Sequence, residues 1–115
     1  MLIVGREIGQ SVIIDDVIKV TVLQIGSKLK PVIDVPKGMP ISRAKDIGGS
    51  MDYLRKGTRI IGTPTLIGDN IKVTILQTES GILRFSIDAP KEINIYREEL
   101  FKGNQLSNNQ KAKNF

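Results

Sequence analysis

Apolar and polar positions alternate along this chain in short stretches, and the same alternation occurs twice. Ile18, Val20 and Val22 are separated by Lys19 and Thr21, and Ile71, Val73 and Ile75 by Lys72 and Thr74. A period of two sends every second side chain to one face, which predicts half-buried β-strands. Upstream, an apolar opening at 1–6 is broken by Gly9 and resumes at 11–14, where Asp15-Asp16 turns the chain. The matching turn in the second half is Gly68-Asp69-Asn70, better turn chemistry because glycine and asparagine accept a positive φ. Gly26-Ser27 and Ser80-Gly81 mark the next turns, and 32–35 and 83–89 supply the strands that follow. Pro36 and Pro90 end those strands, because proline brings no N–H to a ladder. Short last strands are expected at 39–42 and 93–96, so each half amounts to five strands. Pro31 and Pro40 fall inside expected strands of the first half, which predicts edges, bulges or a locally altered ladder there. After Arg97, residues 98–102 can form about a turn of helix before Gly103.

The halves agree residue by residue. Ile18-Lys19-Val20-Thr21-Val22-Leu23-Gln24 recurs as Ile71-Lys72-Val73-Thr74-Ile75-Leu76-Gln77, and Asp34-Val35-Pro36-Lys37 recurs as Asp88-Ala89-Pro90-Lys91. Arg6 then matches Arg59, Gly9 matches Gly62, and Arg43 matches Arg97. An internal repeat changes the unit whose fold is being read. A unit of some fifty residues is marginal on its own core, so the two units are expected to share one folded domain. The expected division is unit 1 at 1–47, a joint at 48–53, unit 2 at 54–101 and a polar tail at 102–115. Gly48-Gly49-Ser50 at the joint has linker composition and is followed at once by Met51, so a natural tandem and an engineered fusion of two subunits both remain open.

Composition narrows the chemistry. The 115 residues are 40% hydrophobic and 25% charged, with no apolar run long enough to span a bilayer, so a soluble, cytoplasmic domain is expected. The chain has no cysteine and no histidine, which excludes a disulfide framework and thiolate zinc sites and removes the commonest general base. Glu98-Glu99 is no acid–base pair, since adjacent side chains do not converge, and the glycines form no phosphate-cradling loop. The expectation is no enzyme, no cofactor and no metal. A net charge of +5 and a pI near 9.6 make a phosphate-bearing partner plausible, and both halves are positive.

Met1-Leu2-Ile3-Val4-x-Arg6-x-Ile8-Gly9, Ile14-x-Asp16 and Val20-Thr21-Val22-Leu23, with Ala89-Pro90-Lys91-Glu92-Ile93-x-Ile95-x-Arg97-Glu98-Glu99-Leu100 at the other end, carry a resemblance. The chain resembles the carbon storage regulator family (CsrA/RsmA), small bacterial RNA-binding regulators of translation, over 1–47 and about 54–101. The resemblance implies an all-β, intertwined pseudo-dimer of two five-stranded units. It also implies RNA sites formed where the first strand of one unit lies beside the last strand of the other, each taking a GGA element displayed in a messenger leader hairpin or a small regulatory RNA. One site would then combine Leu2, Val4 and Arg6 with Ile93, Ile95 and Arg97. The other would combine Thr58 and Arg59 with Met39, Ile41 and Arg43.

The departures from the family set the two sites apart. Where the family usually has threonine or serine and then two arginines, this chain has Gly5-Arg6-Glu7 and Thr58-Arg59-Ile60, so each site has lost a positive charge and Glu7 adds a negative one. Leu54-Arg55-Lys56-Gly57 is a poor copy of the apolar family start, which marks the Arg43–Arg59 site as the weaker. Without the resemblance, strand-end arginines are more often solvated charges, and Val4, Ile93 and Ile95 packed strand residues. Two functions follow as expectations: a post-transcriptional regulator gripping GGA-containing RNA, or a member with impaired RNA binding that acts through protein partners, such as a regulator or its protein antagonist.

Overall fold

The computed structural model describes residues 1–44 and 57–101. The joint at 48–53, with Gly48-Gly49-Ser50-Met51, and the tail at 102–115 lie outside the described residues, as do the unit boundaries at 47 and 54.

Nine strands and one turn of 3-10 helix make up the described chain: β1 (Leu2–Arg6), β2 (Ser11–Ile14), β3 (Ile18–Ile25), β4 (Lys28–Asp34), β5 (Ile41–Arg43), β6 (Arg59–Ile67), β7 (Ile71–Gln77), β8 (Leu83–Asp88), β9 (Ile95–Arg97) and the 3-10 turn Glu98–Leu100. They form two antiparallel sheets. The first runs β1-β8-β7-β6-β5 and the second β4-β3-β2-β9. Each sheet therefore contains strands of both units: β1 and β5 of unit 1 flank three strands of unit 2, and β9 of unit 2 closes the edge beside β2.

The period-two pattern works as the sequence predicts. Ile18, Val20 and Val22 of β3 are fully buried, and Ile71, Val73 and Ile75 of β7 nearly so. With Val4, Val12, Ile14, Ile61, Ile67, Leu83, Phe85 and Ile87 they fill one core between the sheets. Leu29, Ile33 and Met39 of unit 1 and Ile93 and Ile95 of unit 2 pack at its margin. The turns differ in how they are made. In the β2–β3 hairpin Asp15 and Asp16 both take a positive φ, 57° and 62°, whereas at the matching β6–β7 turn Gly68 takes φ 65° and Asn70 stays in ordinary space. Aspartate tolerates that region better than most side chains, which is how unit 1 turns without glycine.

Among the described residues unit 2 forms four strands where five are expected. Its first strand continues into its second as β6, with a register shift between Ile61 and Thr65, and both parts pair with β7. Gly62 makes the kink at φ 74°, where a Cβ would lie 2.9 Å from the Pro31 ring. The last strands begin later than expected, at Ile41 and Ile95, so Met39 and Ile93 stand just before them. β4 begins at Lys28, earlier than expected, and contains Pro31.

Pro31 gives a physical reason for the uneven sheets. It pairs with Val22 on β3 as Phe85 pairs with Ile75 on β7, so the two are structurally equivalent. Phe85 lies opposite Val4 of β1 and, by strand alternation, turns its backbone toward it. At the same place Pro31 has no N–H to offer, so a strand pairing there would lose a backbone bond that Phe85 gives β1. Residues 59–61 pair with β7 instead.

Candidate nucleic-acid interface

β1 and β9 are edges of different sheets, and a side-chain bridge ties the end of β1 to the turn after β9. Arg6, the last residue of β1, reaches Glu99 in the 3-10 turn that follows β9, donating from Nη1 to Oε1 at 3.0 Å and from Nη2 to Oε1 and Oε2 at 3.1 Å each. Nη1 also reaches the Ser11 carbonyl at 3.4 Å. The Arg6 side chain is 2% exposed and that of Glu99 57%, and Arg6 Nε is buried with no partner. The pair therefore joins the two units and takes Arg6 out of solvent.

The side chains named from sequence for this site divide accordingly. Val4 is buried in the core, and Ile93 and Ile95 are half-buried against it. Leu2 and Arg97 are exposed. Arg97 lies opposite Val12 at the end of β9, beside the Tyr96 ring that packs on Phe101 at 5.4 Å. An edge strand is expected from sequence to offer unpaired backbone groups to bases, and the register now says which residues offer them. In β1, Leu2, Val4 and Arg6 turn their amides toward β8, so Ile3 and Gly5 turn theirs to the open edge. In β9, Tyr96 bonds inward to β2 and Ile95 and Arg97 face out. The family-like spacing points to alternate side chains and carries no signal for the intervening amides. Nor did it reveal Glu99 as a partner for Arg6, 93 residues away in sequence.

The second candidate set is spread out. Ile41 and Arg43 lie exposed on β5, with Arg43 opposite Thr65. Arg59 starts β6, six residues before Thr65, which is on the order of 15–20 Å along extended chain. Its guanidinium donates to Gln77 Oε1 from Nε at 3.0 Å and Nη2 at 2.8 Å. Thr58 just precedes β6 and is half-buried, and Met39 lines an open groove of about 530 Å³ with Pro36, Lys37, Pro40, Gly68 and Asp69. The structure thus brings β1 and the chain after β9 into contact, and holds Arg43 apart from Arg59.

Charge near the first edge is mostly spoken for. Lys19 Nζ is 2.9 Å from Glu98 Oε2, and Glu99 neutralises Arg6. The hydrogen bond from Lys19 holds the Glu98 carboxyl below its ordinary value, against the opposing effect of partial burial. A carboxylate with a depressed folded-state pKa adds stability that is present above its unfolded value and lost as pH falls through the folded one. Acid titration of the fold is therefore expected to flatten at the bottom of the carboxylate range in Glu98→Gln relative to wild type, measured by chemical denaturation at stepped pH. An unchanged pH profile would count against this. Among the described residues no group of three or more acidic, cysteine or histidine side chains is placed to hold a metal ion, and no helix is long and apolar enough to cross a membrane.

The architecture is that of an all-β sandwich in which β1 and β5 of one small unit pair with strands of its copy and β9 of the copy pairs back, leaving β1 and β9 as open edges. The family model described as "CsrA: Global regulator protein family" matches residues 1–46 and again 58–105. The chain belongs to that family and carries two copies of it. A protein of Hydrogenovibrio crunogenus named Translational regulator CsrA is 47% identical over 55 residues, covering 48% of this chain and 79% of that protein. Proteins of the same name from Clostridium botulinum (45% over 58 residues, 50% of this chain and 79% of that protein) and Desulfitobacterium hafniense (44% over 55 residues, 48% and 71%) are similar too. No solved structure matches the chain.

Proposed function

We propose that this chain is a translational regulator that binds a GGA-containing single-stranded RNA element at the junction of β1 and β9. The observation that carries the reading is this pair of open strand edges, held together by the Arg6–Glu99 bridge with Arg97 exposed beside them. Sequence-specific RNA recognition targets unstacked bases in loops, whose edges backbone amides and carbonyls can read as well as side chains can. Ile3, Gly5, Ile95 and Arg97 supply such groups, Leu2 an apolar surface for a base, and Arg97 a charge for phosphate or a guanine edge. Arg6 contributes by fixing the strands, since it is buried and paired. The separation of Arg43 from Arg59 supports a single working site per chain.

The test is titration of the full chain with a GGA-loop hairpin and with the same hairpin carrying a replaced loop. One RNA per chain, binding tightened by the GGA loop and weakened by added salt, is the expected result. Equal affinity for the two hairpins would defeat the reading.

A second reading draws on the neutralised charges. Arg6 is consumed by Glu99 and Lys19 by Glu98, so the family fold can serve here as a protein-binding modulator of a regulator or of its antagonist. Absence of RNA binding below micromolar concentration, with a regulator-type protein retained on the chain, would favour it.

A further inference from the structure

β9 is a strand of three residues, Ile95–Arg97, and within it only Tyr96 bonds inward to β2. A strand this short opens readily, because few backbone bonds hold it. Its C-terminal end is anchored by the two acids that follow. Glu99 takes Arg6 of β1, in the other sheet, and Glu98 Oε2 lies 2.9 Å from Lys19 Nζ of β3, in its own sheet. Lys19 reaches Glu98 across β2, since Ile13 stands opposite both Lys19 and Tyr96. Arg97 immediately precedes both acids and caps the turn that carries them.

Another acid competes for Lys19. Asp34 is its direct partner across the β3–β4 ladder, exposed on the same outer face, where opposed side chains stand about 5 Å apart. The ammonium nevertheless bridges to Glu98, and Asp34 has no ion pair among the described residues. Glu98 also takes a hydrogen bond from Ser11, which fixes its carboxylate where Lys19 can reach it. At 46% and 43% exposure the pair adds little to global stability. Its effect is local: it sets where the turn, and with it Arg97, sits over the sheet. Unit 1 has no such anchor. Arg43 matches Arg97, but the two residues after it are Ala44 and Lys45, neither of them an acid.

We propose that Lys19 is a positioning residue for RNA binding: through Glu98 it holds the Arg97 end of β9 in place, so that the edge backbone and the Arg97 guanidinium stay aligned for an unstacked base. This role rests on the RNA reading given above. The pair can shift the population of the aligned edge only by its own strength, which limits the effect to about two- to fivefold.

Titration of the full chain and its variants with the GGA-loop hairpin and the replaced-loop hairpin tests the role, together with amide hydrogen exchange without RNA. Lys19→Met and Glu98→Ala are each expected to lower the preference for the GGA loop by about two- to fivefold, and the double substitution by no more than either alone. Lys19→Arg, which keeps a cation for Glu98, is expected to retain the preference. Exchange at the Tyr96 amide should quicken by a similar factor in Lys19→Met and Glu98→Ala, with melting temperatures within about 3 °C of wild type. If Lys19→Met weakens both hairpins equally while Glu98→Ala tightens both, Lys19 contacts phosphate directly and the positioning role is overturned. A wild-type preference for GGA that survives undiminished in both variants overturns the role alone. A wild-type chain that binds the two hairpins equally overturns the RNA reading and the role with it.

Discussion

Replacing Glu99 with alanine is expected to destabilise the fold far more than replacing Arg6 with methionine, although the two substitutions break the same ion pair. Glu99 is the exposed partner and Arg6 the buried one. In Glu99→Ala the guanidinium keeps only the long contact to the Ser11 carbonyl, and its Nε has no partner to begin with. Stranding a buried charge costs about 3–5 kcal/mol, and the solvent that reaches it through the vacated Glu99 position lowers that to roughly 2–3 kcal/mol. For a domain of this size the melting temperature falls by about 10 °C. Arg6→Met leaves a carboxylate already in water and an apolar chain of similar length in the space, so a change of under about 1 kcal/mol is expected. The double substitution should match Arg6→Met alone. Thermal melts of the four proteins decide it, and equal losses for the two single variants would show that Arg6 is better solvated than its burial implies.

That asymmetry bears on what sequence can and cannot supply. The strands were legible because Ile18, Val20 and Val22, and their partners in unit 2, alternate with polar residues, and because Pro36 and Pro90 mark where the ladders stop. The repeat made the sharing of one core by two units legible as well. The continuous β6 was not. Thr58-Arg59-Ile60-Ile61 has the composition of a strand wherever it pairs, and its pairing with β7 is a matter of long-range topology. Pro31 did signal an altered ladder, but a missing donor says nothing about which strand goes elsewhere. Among the candidate site residues, Arg6 and Arg97 look alike in sequence, each an arginine ending a short strand. Glu99 alone separates them, and its meeting with Arg6 is a product of the interleaved topology that local pattern cannot convey. The edge amides of Ile3 and Gly5 were invisible for another reason: every residue has them, and only register decides which face out.

On the proposed reading, Arg97→Ala is expected to weaken binding of the GGA hairpin about ten- to a hundredfold, and Arg43→Ala to change it less than about twofold. Both arginines are exposed at the end of a short strand, so exposure does not distinguish them. Their surroundings do. Arg97 stands on β9, just before the turn that the Arg6–Glu99 bridge ties to the end of β1, and on the proposed reading a base is held there by edge backbone while the guanidinium reaches its edge or its phosphate. Arg43 stands on β5 opposite Thr65, and the first strand that should lie near it is tied to β7, with Arg59 bonded to Gln77. A lone surface arginine adds only general attraction, which salt screens and which is equal for any loop sequence. The two roles separate in one titration series run at several salt concentrations. Arg97→Ala should lower the preference for the GGA loop over a replaced loop, because it removes a contact that reads a base. If it instead lowers both affinities equally and reduces the salt slope by about one, its contact is to phosphate, and the edge amides carry the sequence preference. Equal loss from Arg97→Ala and Arg43→Ala would mean that the dispersed second set binds as well as the first, and that one RNA per chain is the wrong stoichiometry.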